Sequence, residues 1–206
     1  MGKKYNIGVD IGGTFVKVGV CDENGTLLSK TQIPTCPENH VSVVAQRIYG
    51  AVLTVASEAG ITIKDISSIG VSVPGIINKE TGECVFAGNL GWTNFPIAGE
   101  LAKISGKPAY ILNDANGAAL GENICGAAAG YNSSILITLG TGVGGSVIYD
   151  GKIGTGFGSF GGEFGHIPLV SGGVQCNCGK RGCYESYCGG AAVAGRMQEE
   201  IGEHPE

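Results

Sequence analysis

The chain has 206 residues, of which 43% are hydrophobic and 15% charged, and its formal net charge is -5. This composition can bury a sizeable core in one or two domains, which excludes a disordered chain. The acidic balance and the lack of an apolar run of about 18 residues exclude a nucleic-acid partner and a membrane span. Because the first residues lack the pattern of a secretion signal, the expected location is the cytoplasm.

The first predicted feature is a β-hairpin centred on two glycines. The segment NIGVDIGGTFVKVGVCDENGTLLSK alternates apolar and polar residues, breaks at Gly12 and Gly13, and turns again at Asn24 and Gly25. A period of two predicts strands, and Gly-Gly and Asn-Gly pairs predict tight turns. This segment is therefore expected to form three strands joined by two turns.

The middle of the chain combines a helix with further strands. The segment from His40 to Gly60 has apolar residues at helical spacing and ends on a glycine, which predicts a long helix covering a sheet. A buried strand is predicted to end at Pro74 and Gly75, and another is predicted to run through Asn113 into a helix. Strands that alternate with helices indicate an α/β fold.

Asp114 is the first candidate for chemistry. It lies where the strand through Asn113 passes into its helix, at the edge of an α/β sheet where ligands bind. A carboxylate at this place can accept a proton from a substrate hydroxyl. The alternative is that Asp114 caps the helix, and the two roles are compatible.

A second hairpin repeats the plan of the first in SSILITLGTGVGGSVIYDGKIGTG. Gly140, Gly142 and Gly145 match the dinucleotide-binding pattern, but a strand-like segment follows them instead of the helix which that fold requires. Each hairpin turn carries a threonine, Thr14 or Thr141, and glycine turns expose amides to phosphate oxygens. A single such turn is most simply a tight hairpin, whereas two related turns indicate a site that binds a polyphosphate.

A cluster of cysteines marks the last part of the chain. Cys176, Cys178 and Cys183 fall within the segment QCNCGKRGC. In an intracellular chain such a cluster favours a metal site over disulfides. His166 and Cys188 are both candidates for a fourth ligand, and three thiolates with an imidazole make a closed, structural zinc site. The alternative is three buried cysteines without a metal.

Four motifs together resemble the ROK family of sugar kinases and repressors, within the actin-like ATPase superfamily. They are DIGGT from Asp10, LGTGVGG from Leu139, GEFGH from Gly162 and CNCGKRGCYE from Cys176, and the last is similar to glucokinase-like members. The resemblance implies an α/β fold of two actin-like (ribonuclease H-like) domains with duplicated ββ-hairpin phosphate loops. The smaller N-terminal domain is expected over residues 1–115. The larger domain, with the zinc-binding loop, is expected over 116–206 and to be incomplete, because the chain is shorter than the family's usual length.

The resemblance also implies ATP-dependent phosphorylation of a hexose hydroxyl, with ATP, Mg²⁺ and structural Zn²⁺ as cofactors and a homodimer as the assembly. The implied catalytic base is Asp114. The implied sugar-binding residues are Asn89, Asn113, Asp114, Glu163, His166 and Glu185. The implied residues for phosphate and Mg²⁺-ATP are Asp10, Gly12, Gly13, Thr14, Lys17, Gly140, Thr141 and Gly142. The implied zinc ligands are His166, Cys176, Cys178 and Cys183.

The sequence is also compatible with three other functions. The first alternative is a sugar-binding sensor or a non-catalytic fragment of a ROK protein. The resemblance implies this alternative because the part of the family's usual length that supplies the adenosine pocket is not included in these 206 residues. A DNA-binding repressor is disfavoured because the chain opens on a strand and not on a helix-turn-helix domain. A zinc-containing interaction module without a small ligand is the third alternative. Among the hexoses, glucose is the favoured substrate only because the cysteine motif is similar to that of glucokinases.

Overall fold

The computed structural model describes residues 4–157 and 160–203. The chain divides into two compact units. The N-terminal unit comprises Met1–Gly117 with Ile124–Gly126, and the C-terminal unit comprises Ala118–Asn123 with Ala127–Glu206. Across the described ranges, no helix combines the length and the apolar character that crossing a membrane requires.

Most strands of the N-terminal unit belong to one twisted sheet. In chain order the strands of this unit are β1 (Tyr5–Ile11), β2 (Phe15–Asp22), β3 (Leu27–Pro34), β4 (Ile66–Val73), β5 (Ile76–Asn78), β6 (Glu83–Ala87), β7 (Trp92–Phe95) and β8 (Ala109–Asn113). The main sheet has the order β3-β2-β1-β4-β8. The first three strands are antiparallel, and β4 and β8 run parallel to β1. The predicted three-stranded hairpin segment is thereby confirmed.

The register of the parallel strands positions the candidate residues. Asp10 near the end of β1 lies opposite Ser72 of β4, and Val73 of β4 lies opposite Asn113 of β8. Three parallel strands therefore bring their carboxyl ends to one edge of the sheet, which is where ligands bind in α/β sheets.

Helix α1 (Val41–Glu58) covers this sheet, as the sequence predicts. The His40 side chain caps its first turn by accepting the amide of Ser42. Gly60, expected to end the helix, lies just beyond its last residue with a φ of +70°. The buried face of the helix consists of Val44, Ala45, Ile48, Ala51, Val52, Val55 and Ala56. Burial of each of the larger side chains contributes about 1.5–3 kcal/mol.

Several elements of the N-terminal unit were not predicted. Strands β5, β6 and β7 form a second antiparallel sheet in that order, helix α2 spans Ile97–Ser105, and a 3-10 helix spans Ile63–Asp65. Trp92 anchors the small sheet, since it stacks on Phe95 with ring centroids 3.9 Å apart. Its indole nitrogen donates to the carbonyl of Pro37 at 2.9 Å.

The C-terminal unit contains the second hairpin. Its strands are β9 (Ser134–Leu139), β10 (Val143–Tyr149) and β11 (Lys152–Ile153). Their order, β11-β10-β9, has the same antiparallel topology as β3-β2-β1, which confirms the predicted duplication. Gly145, the last glycine of the pattern, lies within strand β10, so a strand stands where a dinucleotide-binding motif requires a helix, as predicted.

The remaining elements are helical. Helix α3 (Asp114–Cys125) starts in the N-terminal unit and enters the C-terminal unit. Later in the chain come a 3-10 helix (Phe164–His166), α4 (Glu185–Cys188) and α5 (Gly190–Glu203). They place the cysteine loop, residues 176–183, directly before α4.

Candidate functional site

The carboxylate of Asp10 is held from both sides at the carboxyl edge of the main sheet. The hydroxyl of Ser72 donates to its Oδ1 at 3.1 Å, and Lys17 Nζ lies 3.4 Å from its Oδ2. The Lys17 pair is solvent-exposed and contributes little on its own. Ser72 was not predicted from the sequence, because the same strand carries two further serines, Ser67 and Ser68, and nothing local distinguishes Ser72 from them.

Asn113 is the N-cap of α3. Its Oδ1 accepts the amides of Ala115 at 3.0 Å and Asn116 at 3.3 Å. Asp114 is the other candidate for this cap, but the helix amide that its Oδ1 accepts is that of the adjacent Ala115, at 2.9 Å. The cap therefore belongs to Asn113, because a residue one position earlier can reach the third amide of the helix. The Asp114 carboxylate is correspondingly less committed to the backbone.

The electrostatic surroundings of Asp114 favour a base. Burial of the carboxyl among protein atoms raises the pKa of Asp114, and the nearby negative charge of Asp10 raises it further. The bond from the Ala115 amide opposes both effects without cancelling them. A carboxylate whose pKa is raised holds a proton more readily, which is what a general base requires.

The Pro-Gly end of β4 supports Asn113 from the other side. Asn113 Nδ2 donates to the carbonyl of Gly75 at 3.3 Å. Gly75 has a φ of +105°, and a Cβ on it would lie 2.2 Å from the carbonyl oxygen of Phe86, so only glycine fits. Asn89 lies in the exposed turn between β6 and β7. Within the described ranges it has no hydrogen bond to the other candidate residues.

The first glycine turn, between β1 and β2, presents two open amides. The Gly12 amide donates to Phe15 at 3.0 Å, while the Thr35 hydroxyl donates to the Gly12 carbonyl at 2.7 Å. The Thr35 amide donates to the carbonyl of Thr14 at 3.0 Å. Among the residues the structure describes, the amides of Gly13 and Thr14 have no partner and lie at the surface. They are available to an anion.

The second glycine turn, between β9 and β10, is anchored by the start of α5. The amides of Gly190 and Ala191 donate to the carbonyls of Gly140 and Thr141 at 2.8 and 3.1 Å. The Gly140 amide donates to Gly142 at 3.0 Å. No described residue accepts from the amides of Thr141 and Gly142. The turn thus resembles the first one in offering two consecutive amides.

Glu185 also contacts the second glycine turn. Its Oε2 accepts the amide of Val143, the residue after the turn, at 2.9 Å. A Cβ on Gly142 would lie 2.1 Å from that oxygen, so the contact exists because position 142 is glycine. Glu185 is predicted from the sequence as a sugar ligand, and its contact with the second glycine turn appears only in the structure.

The four predicted metal ligands meet in the C-terminal unit. The ligand atoms of His166, Cys176, Cys178 and Cys183 all lie within 4.8 Å of one another. Cys176 Sγ is 3.7 Å from His166 Nδ1, and Cys178 Sγ is 3.6 Å from Cys183 Sγ. Zinc bonds of about 2.3 Å to sulfur and about 2.0–2.1 Å to nitrogen require tetrahedral edges of about 3.5–3.8 Å. The Cys176–His166 and Cys178–Cys183 distances match such edges, and the other pairs lie within 4.8 Å.

The structure selects His166 over Cys188 as the fourth member of this group. Cys188 lies on α4, where a hydrogen bond to its sulfur raises the pKa of Tyr184. His166 turns Nδ1 toward the cysteines and Nε2 toward Glu163, whose Oε2 is 3.9 Å away. A carboxylate on the far side of a ligating histidine is common at metal sites, and Glu163 lies on that side of His166.

The two neighbouring thiols of Cys178 and Cys183 have pKa values shifted in opposite directions. Burial and the neighbouring thiols raise the pKa of Cys183 to about 12. The backbone amide of Lys180 lowers the pKa of Cys178. A metal that binds the Cys183 sulfur would have to displace its proton, since thiols bind metals as thiolates.

Comparisons with known proteins agree with this arrangement. The sequence profile described as the ROK family matches residues 6–205. A glucokinase from Halalkalibacterium halodurans is 37% identical over 207 residues, which cover 100% of this chain and 63% of that protein. The chain therefore spans less than two thirds of the length of this relative.

Two solved structures are similar to the chain. A ROK family glucokinase from Streptomyces griseus, in complex with glucose and AMPPNP, has a TM-score of 0.83 and 35% identity over 98% of this chain and 62% of its own. A ROK hexokinase from Thermus thermophilus has a TM-score of 0.82 and 37% identity over 96% of this chain and 64% of its own. These similarities confirm the predicted actin-like α/β fold class. With the family profile matching nearly its whole length, the chain belongs to the ROK family.

Proposed function

We propose that this chain serves the ATP-dependent phosphorylation of a hexose hydroxyl, with glucose as the favoured sugar. One observation carries the proposal. Asp10, Asn113 and Asp114 meet at the carboxyl ends of three parallel strands, and the pKa of Asp114 is raised there. The names of the similar proteins, two glucokinases and a hexokinase, support the same reaction class.

Asp114 is the proposed general base. Its carboxylate accepts the proton of the sugar hydroxyl as the hydroxyl oxygen attacks the γ-phosphorus of ATP. The bond from that phosphorus to the bridging oxygen breaks, and ADP leaves. A positioned base contributes about 10²–10⁴-fold to the rate. The rest comes from positioning and from neutralising charge, which dominate phosphoryl transfer.

Asp10 is the proposed carboxylate for Mg²⁺. Oxygen ligands suit this ion, which keeps several waters and neutralises phosphate charge when bound. Ser72 fixes one carboxylate oxygen, so Asp10 presents a defined face to a hydrated ion. Lys17, beside the other oxygen, is the proposed contact to a phosphate.

Each glycine turn is a proposed phosphate contact of its own unit. In the N-terminal unit the open amides belong to Gly13 and Thr14, and in the C-terminal unit they belong to Thr141 and Gly142. Consecutive backbone amides in a turn form a concave, positively polarised surface that suits anionic oxygens.

The cysteine loop is the proposed structural zinc site. His166, Cys176, Cys178 and Cys183 would hold the ion, and the closed set leaves no position for catalysis. Zinc would tie His166 to the cysteine loop, which directly precedes Glu185. His166 and Glu185 are both proposed sugar ligands. Glu163 and, in the N-terminal unit, Asn113 and Asn89 are the other proposed sugar ligands.

A coupled phosphorylation assay tests the proposal. The chain, Mg²⁺ and ATP are combined with glucose, mannose, fructose and N-acetylated hexosamines in turn. Turnover of one sugar is the expected result. Sugar binding by calorimetry without turnover of any sugar supports the sensor alternative instead, and silence in both measurements supports an interaction module. The proposed homodimer is tested separately by light scattering.

A further inference from the structure

Glu185 connects two features that the proposed reaction uses separately. Its Oε2 accepts the amide of Val143 at 2.9 Å, at the end of the second glycine turn. In the chain it follows Cys183, a proposed metal ligand, by two residues. One residue therefore contacts the phosphate turn with its side chain while its backbone continues the cysteine loop.

The backbone between the metal ligand and Glu185 is well defined. Cys183 is fully buried, and its carbonyl accepts the amide of Ser186 at 3.0 Å, which starts the first turn of α4. The amide of Tyr184 donates to Ile167 at 2.9 Å. A metal bound to Cys183 would therefore fix the point from which α4, and Glu185 on it, begins.

A second contact links the same two features. Gly165, adjacent to the proposed ligand His166, packs so closely on Val143 that a Cβ at position 165 would lie 2.1 Å from the Val143 carbonyl oxygen. That Cβ would also lie 3.3 Å from Glu185 Cβ. The Val143 amide is thus bonded to Glu185, and the Val143 carbonyl packs against Gly165, next to His166.

We propose that Glu185 is a positioning residue that transmits the order of the metal loop to the second glycine turn. The inference rests on the proposed function for the roles of the turn and the metal. It adds that metal occupancy sets the geometry in which Thr141 and Gly142 present their amides. Only one oxygen of Glu185 serves Val143. The other has no partner among the described residues and remains available to a sugar hydroxyl.

Amide hydrogen exchange by NMR tests this link without sugar or ATP. The exchange rate of the Val143 amide is measured in the zinc-loaded chain, after chelation, and in zinc-loaded Glu185→Ala. The lost bond to a carboxylate should accelerate exchange at Val143 about tenfold to a hundredfold in the variant. Chelation should accelerate Val143 in the original chain and have little further effect on it in the variant.

Two controls separate positioning from general loss of structure. Glu122→Ala removes another carboxylate of the same unit that accepts a backbone amide, that of Ala127 at 2.7 Å, so Val143 exchange should stay unchanged. The amide of Val147, in the middle of β10, reports on unfolding of the hairpin. Unchanged exchange at Val143 in zinc-loaded Glu185→Ala overturns the inference. So does chelation that accelerates the cysteine-loop amides while Val143 stays protected. Because the exchange measurement uses neither sugar nor ATP, its result does not depend on whether the chain has kinase activity.

Discussion

Replacing Gly142 with alanine should weaken the C-terminal unit by a defined amount. The new Cβ would lie 2.1 Å from Glu185 Oε2 and 2.8 Å from its Cδ, so the carboxylate must move. The Glu185 side chain is flexible enough to do so, but the Val143 amide then loses its acceptor. Val143 is only 5% exposed, so water replaces the bond poorly. A hydrogen bond to a charged group contributes about 1.5–3 kcal/mol.

Gly140→Ala is the matched control, because it changes another glycine of the same turn. A Cβ at position 140 meets no atom within 4 Å. Thermal unfolding is the assay. A loss of about 1.5–3 kcal/mol corresponds to a melting temperature lowered by about 3–12 °C for a chain of this size. Gly140→Ala should leave the melting temperature unchanged or slightly raised. Equal melting temperatures for the two variants would refute the reasoning.

Three further predictions concern the separate parts of the site. Asp114 must be ionised to accept a proton, and its pKa lies above the usual value of about 3.9 for aspartate. The rate of phosphoryl transfer should therefore fall as the pH drops through this raised pKa, which a pH-rate profile checks. Ser72→Ala should raise the Mg²⁺ concentration needed for half-maximal rate about tenfold, since the bond to the Asp10 carboxylate is lost. Ser68→Ala is the control and should not change this concentration, because Ser68 lies on the same strand but bonds to Asn6. Cys178→Ser should abolish binding of one zinc per chain, measured by elemental analysis, while Cys188→Ser should retain it.

Local patterns predicted the scaffold well. The alternation around Gly12 and the related pattern around Gly140 each depend on neighbours in the chain, and both hairpins form where expected. The three strands of the small sheet have only 3, 5 and 4 residues. Such short segments carry too few alternations to stand out from a loop, so they were missed.

Contacts between distant residues explain the other differences. Ser72 reaches Asp10 across 62 positions of sequence, and Glu185 reaches Val143 across 42. Both contacts depend on sheet register or on loop packing, which no local pattern encodes. The cap of α3 was ambiguous for another reason. Asn113 and Asp114 are both good capping residues, and only the position of the first helical turn decides between them.

Turnover by Asp114→Asn tests directly whether Asp114 is the general base. Asparagine keeps the size of the side chain and an oxygen for the Ala115 amide but cannot accept the substrate proton. Because the folded-state pKa of Asp114 lies above its unfolded value, the ionised carboxylate lowers stability at neutral pH, so the variant should melt no lower than the original chain. We expect the variant to bind sugar by calorimetry and its turnover to be reduced by about 10²–10⁴-fold. Undiminished turnover in a folded, sugar-binding variant would contradict it.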